Sequence, residues 1–230
     1  MSGPTLGWGL QLKYAALERS AVRANHDWEL VGIERAKLAE ILGNLSTQQW
    51  QESTLCDQWQ VRDVVAHLAA AGATGTGAWL VNMLSSGFNT DRHNDRLLGR
   101  YLGSDPEATR ENFEQTVHKT VAPLNSVHGL LTEIIVHGQD IAVPLGIKLE
   151  PSRQSLRLVA SFMATKNFAV NSHTLVKDLR FSATDYPFAH GEGPAVTGKL
   201  LDLVMVMAGR KNFVAKLDGE GAAQIGRRLS

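Results

Sequence analysis

Cysteine is almost absent from this chain of 230 residues: Cys56 stands alone, so no disulfide can form within it. A small fold stapled by disulfides is excluded, and a reducing, cytoplasmic setting is expected. An excess of charge of either sign is also missing, since Lys+Arg and Asp+Glu both number 23. Nucleic acid and anionic membrane surfaces attract proteins with a strong basic excess, so neither is an expected partner. Long apolar runs are lacking too. "LLDLVMVMAG" comes nearest, and Asp202 interrupts it, far short of the about 18 unbroken apolar residues of a membrane-spanning helix. The opening "MSGPTLGWGLQLKYAALERSAVRANHDW" has no continuous apolar core of the signal-peptide kind. There are no internal repeats or low-complexity segments, and no H-E-x-x-H, G-x-S-x-G or nucleotide-binding fingerprint. These absences leave a soluble cytoplasmic globular protein whose apolar content, 43%, is ordinary.

What is present reads first as helix. Residues 10–24 form a weakly amphipathic opening segment able to continue into the next. "ELVGIERAKLAEILGNL" repeats Leu30, Ile33, Leu38, Ile41, Leu42 and Leu45 at helical spacing. "STQQW" starts a short helical turn, and "VRDVVAHLAAAGA" and "GAWLVNMLSSG" follow. "SDPEATRENFEQTVHKTV" carries start signals, with Ser104 or Asp105 as cap, Pro106 at the first helical position and Glu107 in the first turn. "LLTEIIVHGQDIAVPLG" closes at Pro144 and Gly146. After Pro151 the pattern changes. "SRQSLRLVASFMAT" is helical, "LRFSATDY" reads as a strand, and "HGEGP" as a turn. "VTGKLLDLVMVMAGR" is a buried helix, "NFVAKLD" a strand and "GEGAAQIGRRL" a turn and helix. A boundary near residues 146–152 therefore separates a helix bundle from a smaller α/β unit.

Within "LTEIIVHGQDI", Glu133, His137 and Asp140 are spaced by four and three, which stacks them on one helix face. Leu130, Leu131, Ile134, Ile135 and Ile141 bury most of the same helix, and buried carboxylates and imidazoles are costly unless paired or metal-bound. A metal site in a bundle is built from inward-facing side chains on facing helices. Glu133 and His137 offer two ligands one turn apart; the best third is His67, isolated in the apolar "VVAHLAAA". Asp63 lies one turn before His67 and is placed to orient its ring. Two histidines and a carboxylate with positions left open suit catalytic zinc, and also divalent iron or nickel. An E-x-x-x-H pair is nonetheless common by chance, and a buried histidine is more often a satisfied core residue than a ligand.

Three stretches resemble one family. "LCDQWQVRDVVAHLAAA" is similar to the L-C-x-x-W-x-V-R-D-V-V-A-H-L stretch of the mycothiol-dependent maleylpyruvate isomerase family, within the DinB-like superfamily. "EIIVHGQDIAVPLG" resembles that family's second signature, and "GPAVTGKLLDLVMVMAGR" the helix leading to a Gly-Arg pair in its smaller C-terminal domain. The resemblance covers about residues 29–228, with the motifs in order. It implies an N-terminal extension over 1–28, a DinB-like four-helix bundle over 29–148 and a small C-terminal α/β domain over 149–230. It places the family's metal ligands on His67, Glu133 and His137, and its C-terminal arginine, a cation for a carboxylated substrate, on Arg210. It implies mycothiol as cosubstrate, held as a thiolate by the metal, for isomerisation or S-transfer on a small electrophile. The segment 75–125 matches loosely, and Gln60 replaces the Ser or Thr common before V-R-D, costing the helix a cap oxygen.

The remaining candidates have plainer readings. Cys56 has no histidine at a recognisable spacing and reads as a small packing thiol. Asp140 reads as a backbone cap or a partner of an arginine, with a role behind His137 open; Arg210 pairs equally well with an acidic neighbour. Trp50 and Trp59 read as core, His128 as peripheral, and "DRHNDR" around His93 as a solvated loop or helix start. The leading expectation is a metal-dependent, mycothiol-using isomerase or S-transferase, monomeric or homodimeric. The alternatives are a non-catalytic metal-binding DinB-like protein of stress response or regulation, and a purely structural bundle in which His67 and Glu133 bond each other.

Overall fold

The computed structural model describes residues 8–56 and 59–229. Residues 1–7 of the expected N-terminal extension lie outside the described residues. From Trp8 onward the rest of that extension forms one continuous helix with the next segment, α1 (Trp8–Gly43). The other bundle helices are α2 (Val61–Ala73), α3 (Thr76–Ser85), α4 (Thr90–Tyr101), α5 (Pro106–Glu114) and α6 (Val127–Ala142). α1 packs on α5 and α6, and α2 on α4, α5 and α6. Asp105 caps α5 through its carboxylate, which accepts from the Ala108 N–H at 2.9 Å, with Pro106 at the first position as expected. Leu30, Leu38 and Leu42 are buried. Ile33 is 46% exposed, because the inward row runs through Val31, Glu34 and Arg35 and leaves position 33 to its side.

The C-terminal part contains α7 (Arg153–Thr165), α8 (Ser172–Val176), α9 (Leu200–Met207), α10 (Ala222–Arg228) and a small sheet. Its strands are β1 (Arg180–Ala183), β2 (Ala189–His190) and β3 (Ala195–Gly198), in the order β2-β1-β3. β1 pairs antiparallel with β2 and parallel with β3, so Phe181 faces both His190 and Val196 in register. The "HGEGP" turn is therefore the link between two strands, and Gly191 and Gly193, both at positive φ, let it pass against the carbonyls of Leu179 and Asp178. Two expectations change here. Residues 196–198 are strand rather than the start of α9, and "NFVAKLD" is a 3₁₀ segment (Lys211–Lys216) ending in a single bridge between Thr197 and Asp218. No helix among the described residues is long and apolar enough to cross a membrane.

α7 joins the halves, packing on α6 on one side and α9 on the other. The hydrophobic core is continuous from Leu30 and Val65 through Ile135 and Val159 to Leu203 and Phe213. Glu34, 3% exposed, anchors the junction by accepting from the Ser152 N–H at 2.8 Å. Arg35 is fully buried and donates from Nη1 to the carbonyls of Thr116 and Lys119 at 2.6 and 2.9 Å, closing the end of α5. Burial pushes its pKa down to about 10.

Gly72 of α2 makes room for that arginine, since a Cβ there would lie 2.7 Å from Arg35 Nη2 and 2.9 Å from Thr116 Cβ. Glycine to alanine inside a helix ordinarily stabilises by about 1 kcal/mol. At position 72 the sign reverses: Gly72→Ala is expected to destabilise by about 2 kcal/mol through overpacking, read as a lower urea midpoint with an unchanged slope.

Candidate metal centre

α6 starts at Ser126, whose hydroxyl accepts from the Gly129 N–H at 3.2 Å. Two turns in, Glu133 and His137 face α2. Glu133 Oε2 lies 3.1 Å from His67 Nε2 and 3.1 Å from His137 Nε2. One ligand atom from each of the three residues falls within 4.8 Å of the others. The structure thus brings together the three residues the sequence singled out. Two ring nitrogens aimed at one carboxylate oxygen require a positive centre between them, either protons or a metal cation. Burial alone would raise the Glu133 carboxyl; hydrogen bonds from His137 and His67 outweigh it and hold it well below the usual carboxylate range. This donor set, two imidazoles and an ionised carboxylate, fits a divalent transition metal.

Behind His137 stands Asp140, whose side chain has no exposed surface. Its Oδ2 lies 2.9 Å from His137 Nδ1, so Nδ1 carries the proton and Nε2 is presented to Glu133. Burial disfavours a charged His137, but its bonds to Asp140, Cys56 and Glu133 outweigh this and raise its pKa well above the ordinary value. Asp140 is also claimed by Arg210, which donates from Nε to Oδ1 at 2.9 Å and from Nη2 to Oδ2. Against the burial that would raise it, Arg210 and His137 hold the Asp140 carboxyl down to about 2. Arg210 reaches this position through the end of α9. Gly209 adopts φ +85°, its N–H donates to Val206 O, and the Arg210 N–H donates to Met205 O, a Schellman turn that aims Arg210 back at α6.

Cys56 packs against the core, as expected from its sequence, and it also belongs to this cluster. Its Sγ lies 3.1 Å from Asp140 Oδ2, 3.3 Å from His137 Nδ1 and 3.2 Å from Arg210 Nη2. The histidine that spacing did not reveal is 81 residues away in the chain. The loop carrying Cys56 is fixed by the Leu55 N–H on the Asp140 carbonyl (3.1 Å) and by the Thr54 hydroxyl, which donates to Trp59 O (2.8 Å) and accepts from the Cys56 N–H (3.1 Å).

Asp63 goes elsewhere. Its Oδ2 accepts from the Gln60 N–H at 3.1 Å, capping α2, and among the described residues it makes no hydrogen bond to His67. That bond is the Asp63 half of a capping box at the start of α2. Trp50 is core, but Trp59 is half-buried and sits over His67 with ring centroids 5.0 Å apart. His128 pairs with Asp27 at 3.0 Å, away from the cluster.

The cluster opens into a cavity of about 840 Å³ between the helices and the C-terminal part, lined by Cys56, Trp59, His67, Glu133, His137 and Arg210 together with apolar residues such as Met83, Leu97, Leu130 and Phe162. His93, expected on a solvated segment, is instead 3% exposed and on the wall of this cavity.

Residues 31–83 match the profile of the Mycothiol maleylpyruvate isomerase N-terminal domain. The fold is similar to a crystal structure of the mycothiol-dependent maleylpyruvate isomerase, with a TM-score of 0.61 and 14% identity, covering 86% of this chain and 93% of that one. A histidine-to-alanine variant of the same isomerase gives the same values, a TM-score of 0.61 at 14% identity over 86% and 93% of the two chains. No curated protein matches the chain. The family resemblance read from the sequence is thus supported by a domain profile and by the fold, and the chain has the mainly helical DinB-like architecture with a small C-terminal α/β part.

Removing one partner of a buried ion pair strands the other charge. Arg210→Met is therefore expected to cost about 3 kcal/mol of stability, whereas Lys148→Met, at an exposed pair with Glu150, is expected to leave stability essentially unchanged. Urea unfolding of the two variants checks both; equal losses would contradict the burial argument.

Proposed function

We propose that this chain is a cytoplasmic, metal-dependent enzyme of the mycothiol-dependent maleylpyruvate isomerase family, in which His67, Glu133 and His137 hold a divalent cation, zinc in the first instance and nickel or iron as alternatives. The observation that carries the reading is the convergence of two imidazole Nε2 atoms on Glu133 Oε2 at the wall of a largely apolar cavity. When bound, such a metal lowers the pKa of a thiol and favours its thiolate, the nucleophilic form.

The chain's own residues supply the rest. Asp140 fixes the His137 tautomer and Glu133 stays ionised, so the donor set is ready without rearrangement. Arg210 lines the cavity, and four of its five N–H groups are used on Asp140, Cys56 and the Ala208 carbonyl, which leaves one on Nη1 for a carboxylate of the electrophile. Apolar walls exclude water from a thiolate and from the double bond it attacks. Addition of the thiolate to that double bond, rotation about the resulting single bond and departure of the thiolate give isomerisation; protonation of the adduct carbon with the sulfur retained gives S-transfer. Mycothiol and a small electrophile, maleylpyruvate above all, are the partners this reading assigns, with the protein acting as monomer or homodimer.

One observation favours a second reading. The charge of Arg210 is largely neutralised by Asp140, which suits a metal-binding protein without catalysis, in stress response or regulation, as well as it suits substrate binding.

Elemental analysis of untagged protein purified without chelator is expected to give near-stoichiometric metal, lost in His67→Ala. The same preparation should convert maleylpyruvate in the presence of mycothiol, with the variant slower by on the order of 100-fold. Full metal occupancy in His67→Ala would refute the ligand assignment. Metal without thiol-dependent turnover would select the second reading.

A further inference from the structure

The metal-centre chemistry makes no use of His93, yet its surroundings set it up as a specific hydrogen-bond donor. It lies on α4, is 3% exposed, and contributes to the wall of the 840 Å³ cavity that also holds His67. Asn82 of α3, itself 2% exposed, places its Nδ2 3.0 Å from the His93 backbone carbonyl and 3.0 Å from His93 Nδ1. A carbonyl oxygen can only accept, so the group facing it must be the amide NH2, which settles the amide's orientation. The same NH2 then donates to Nδ1, which must offer its lone pair. The ring proton of the neutral imidazole is consequently on Nε2. Burial, helped by nearby His67, lowers the His93 pKa, which favours the neutral ring. Nε2 makes no hydrogen bond among the described residues, and Trp79 stacks edge-on against the ring with centroids 5.2 Å apart. A donor whose tautomer is fixed by a dedicated amide, and which is left without a protein partner on a largely buried ring at a cavity wall, suits an acceptor that arrives with a ligand.

We propose that His93 is a substrate-binding residue whose Nε2–H donates to a carboxylate or carbonyl oxygen of the small electrophile held in the cavity. The identity of that occupant rests on the proposed function; the donor role rests on the geometry of Asn82 and His93.

Two measurements test it. Long-range ¹H–¹⁵N spectra of the imidazole nitrogens, assigned by comparison with His93→Gln, are expected to show the Nε2–H tautomer for His93 at neutral pH. An Nδ1–H tautomer or an imidazolium overturns the proposal. Maleate, a cis-dicarboxylate, is then titrated into the zinc-loaded full chain while tryptophan fluorescence is followed, Trp79 being the reporter beside the ring. His93→Phe, which keeps an aromatic ring and removes the donor, is expected to weaken maleate binding by roughly tenfold with unchanged metal content. His93→Gln, which retains an N–H donor, should recover most of the loss. Equal affinity in the parent and His93→Phe, or no saturable response in the parent, overturns the proposal. If the phenylalanine variant fails to fold, His93→Met, which also removes the donor, takes its place in the titration, and the parent tautomer is read as before. Absence of thiol-dependent turnover would count against the proposed function and leave these two readouts standing, since neither requires turnover.

Discussion

A carboxylate with no exposed surface, Asp140, sits where three distant stretches of chain meet. Its Oδ2 holds His137 Nδ1, both oxygens receive Arg210, Cys56 Sγ packs against it, and its backbone carbonyl takes the Leu55 N–H. An isolated ionised carboxylate at that depth would be prohibitively costly. The guanidinium from beyond α9 makes it tolerable, and in return the carboxylate fixes the loop of Cys56 and the ring of His137. The order of charge along the chain of contacts, Arg210, Asp140, His137, Glu133, His67, alternates in sign when the histidines are protonated or metal-bound. Each member is stabilised by the next, and all but the enclosed Asp140 line the cavity.

That ordering explains why the C-terminal part is attached where it is. α9 is almost wholly buried and packs on α7, which packs on α6, so apolar contact sets the distance between the two parts. The Schellman turn at Gly209 then converts that packing into a direction for a single side chain. Had position 209 carried a β-branched residue, the left-handed backbone would be strained, and the arginine that neutralises Asp140 would lose its aim.

Much of this was legible in the amino-acid sequence because it depends on short-range periodicity. The i, i+4 relation of Glu133 and His137, the isolation of His67 in an apolar helix, the capping of α5 by Asp105 and the Gly-Arg pair all carry their geometry locally. What escaped depended on long-range juxtaposition. Cys56 and His137 meet 81 residues apart through a loop held by the Asp140 carbonyl, and nothing in "TLCDQW" announces that. Asp63 lies at the spacing of a histidine partner, but its carboxylate instead accepts from the Gln60 N–H and caps the helix. His93 sits among charges in "TDRHNDR", and its burial follows from the packing of α3 on α4, with Asn82 the one polar residue of "WLVNML" to mark the inner face. Strand β2, of two residues, is too short for alternation to be readable, and β3, as long as β1, runs almost directly into α9 and shares the apolar pattern of that helix.

The junction at Asp140 also bears on how separable the two halves of the chain are. Sequence divides naturally near residue 150, and a profile match confined to residues 31–83 encourages treating the helical part as a module. Yet a fragment ending there would retain Asp140 and discard Arg210, leaving a buried anion with His137 as its sole cation. Such a fragment would have to hydrate that carboxylate, by loosening the end of α6, or bind a proton to it, and either would disturb the ring that α6 presents to Glu133. The second part is thus less an appendix to the bundle than its counter-ion, matched to it through the Arg210–Asp140 pair.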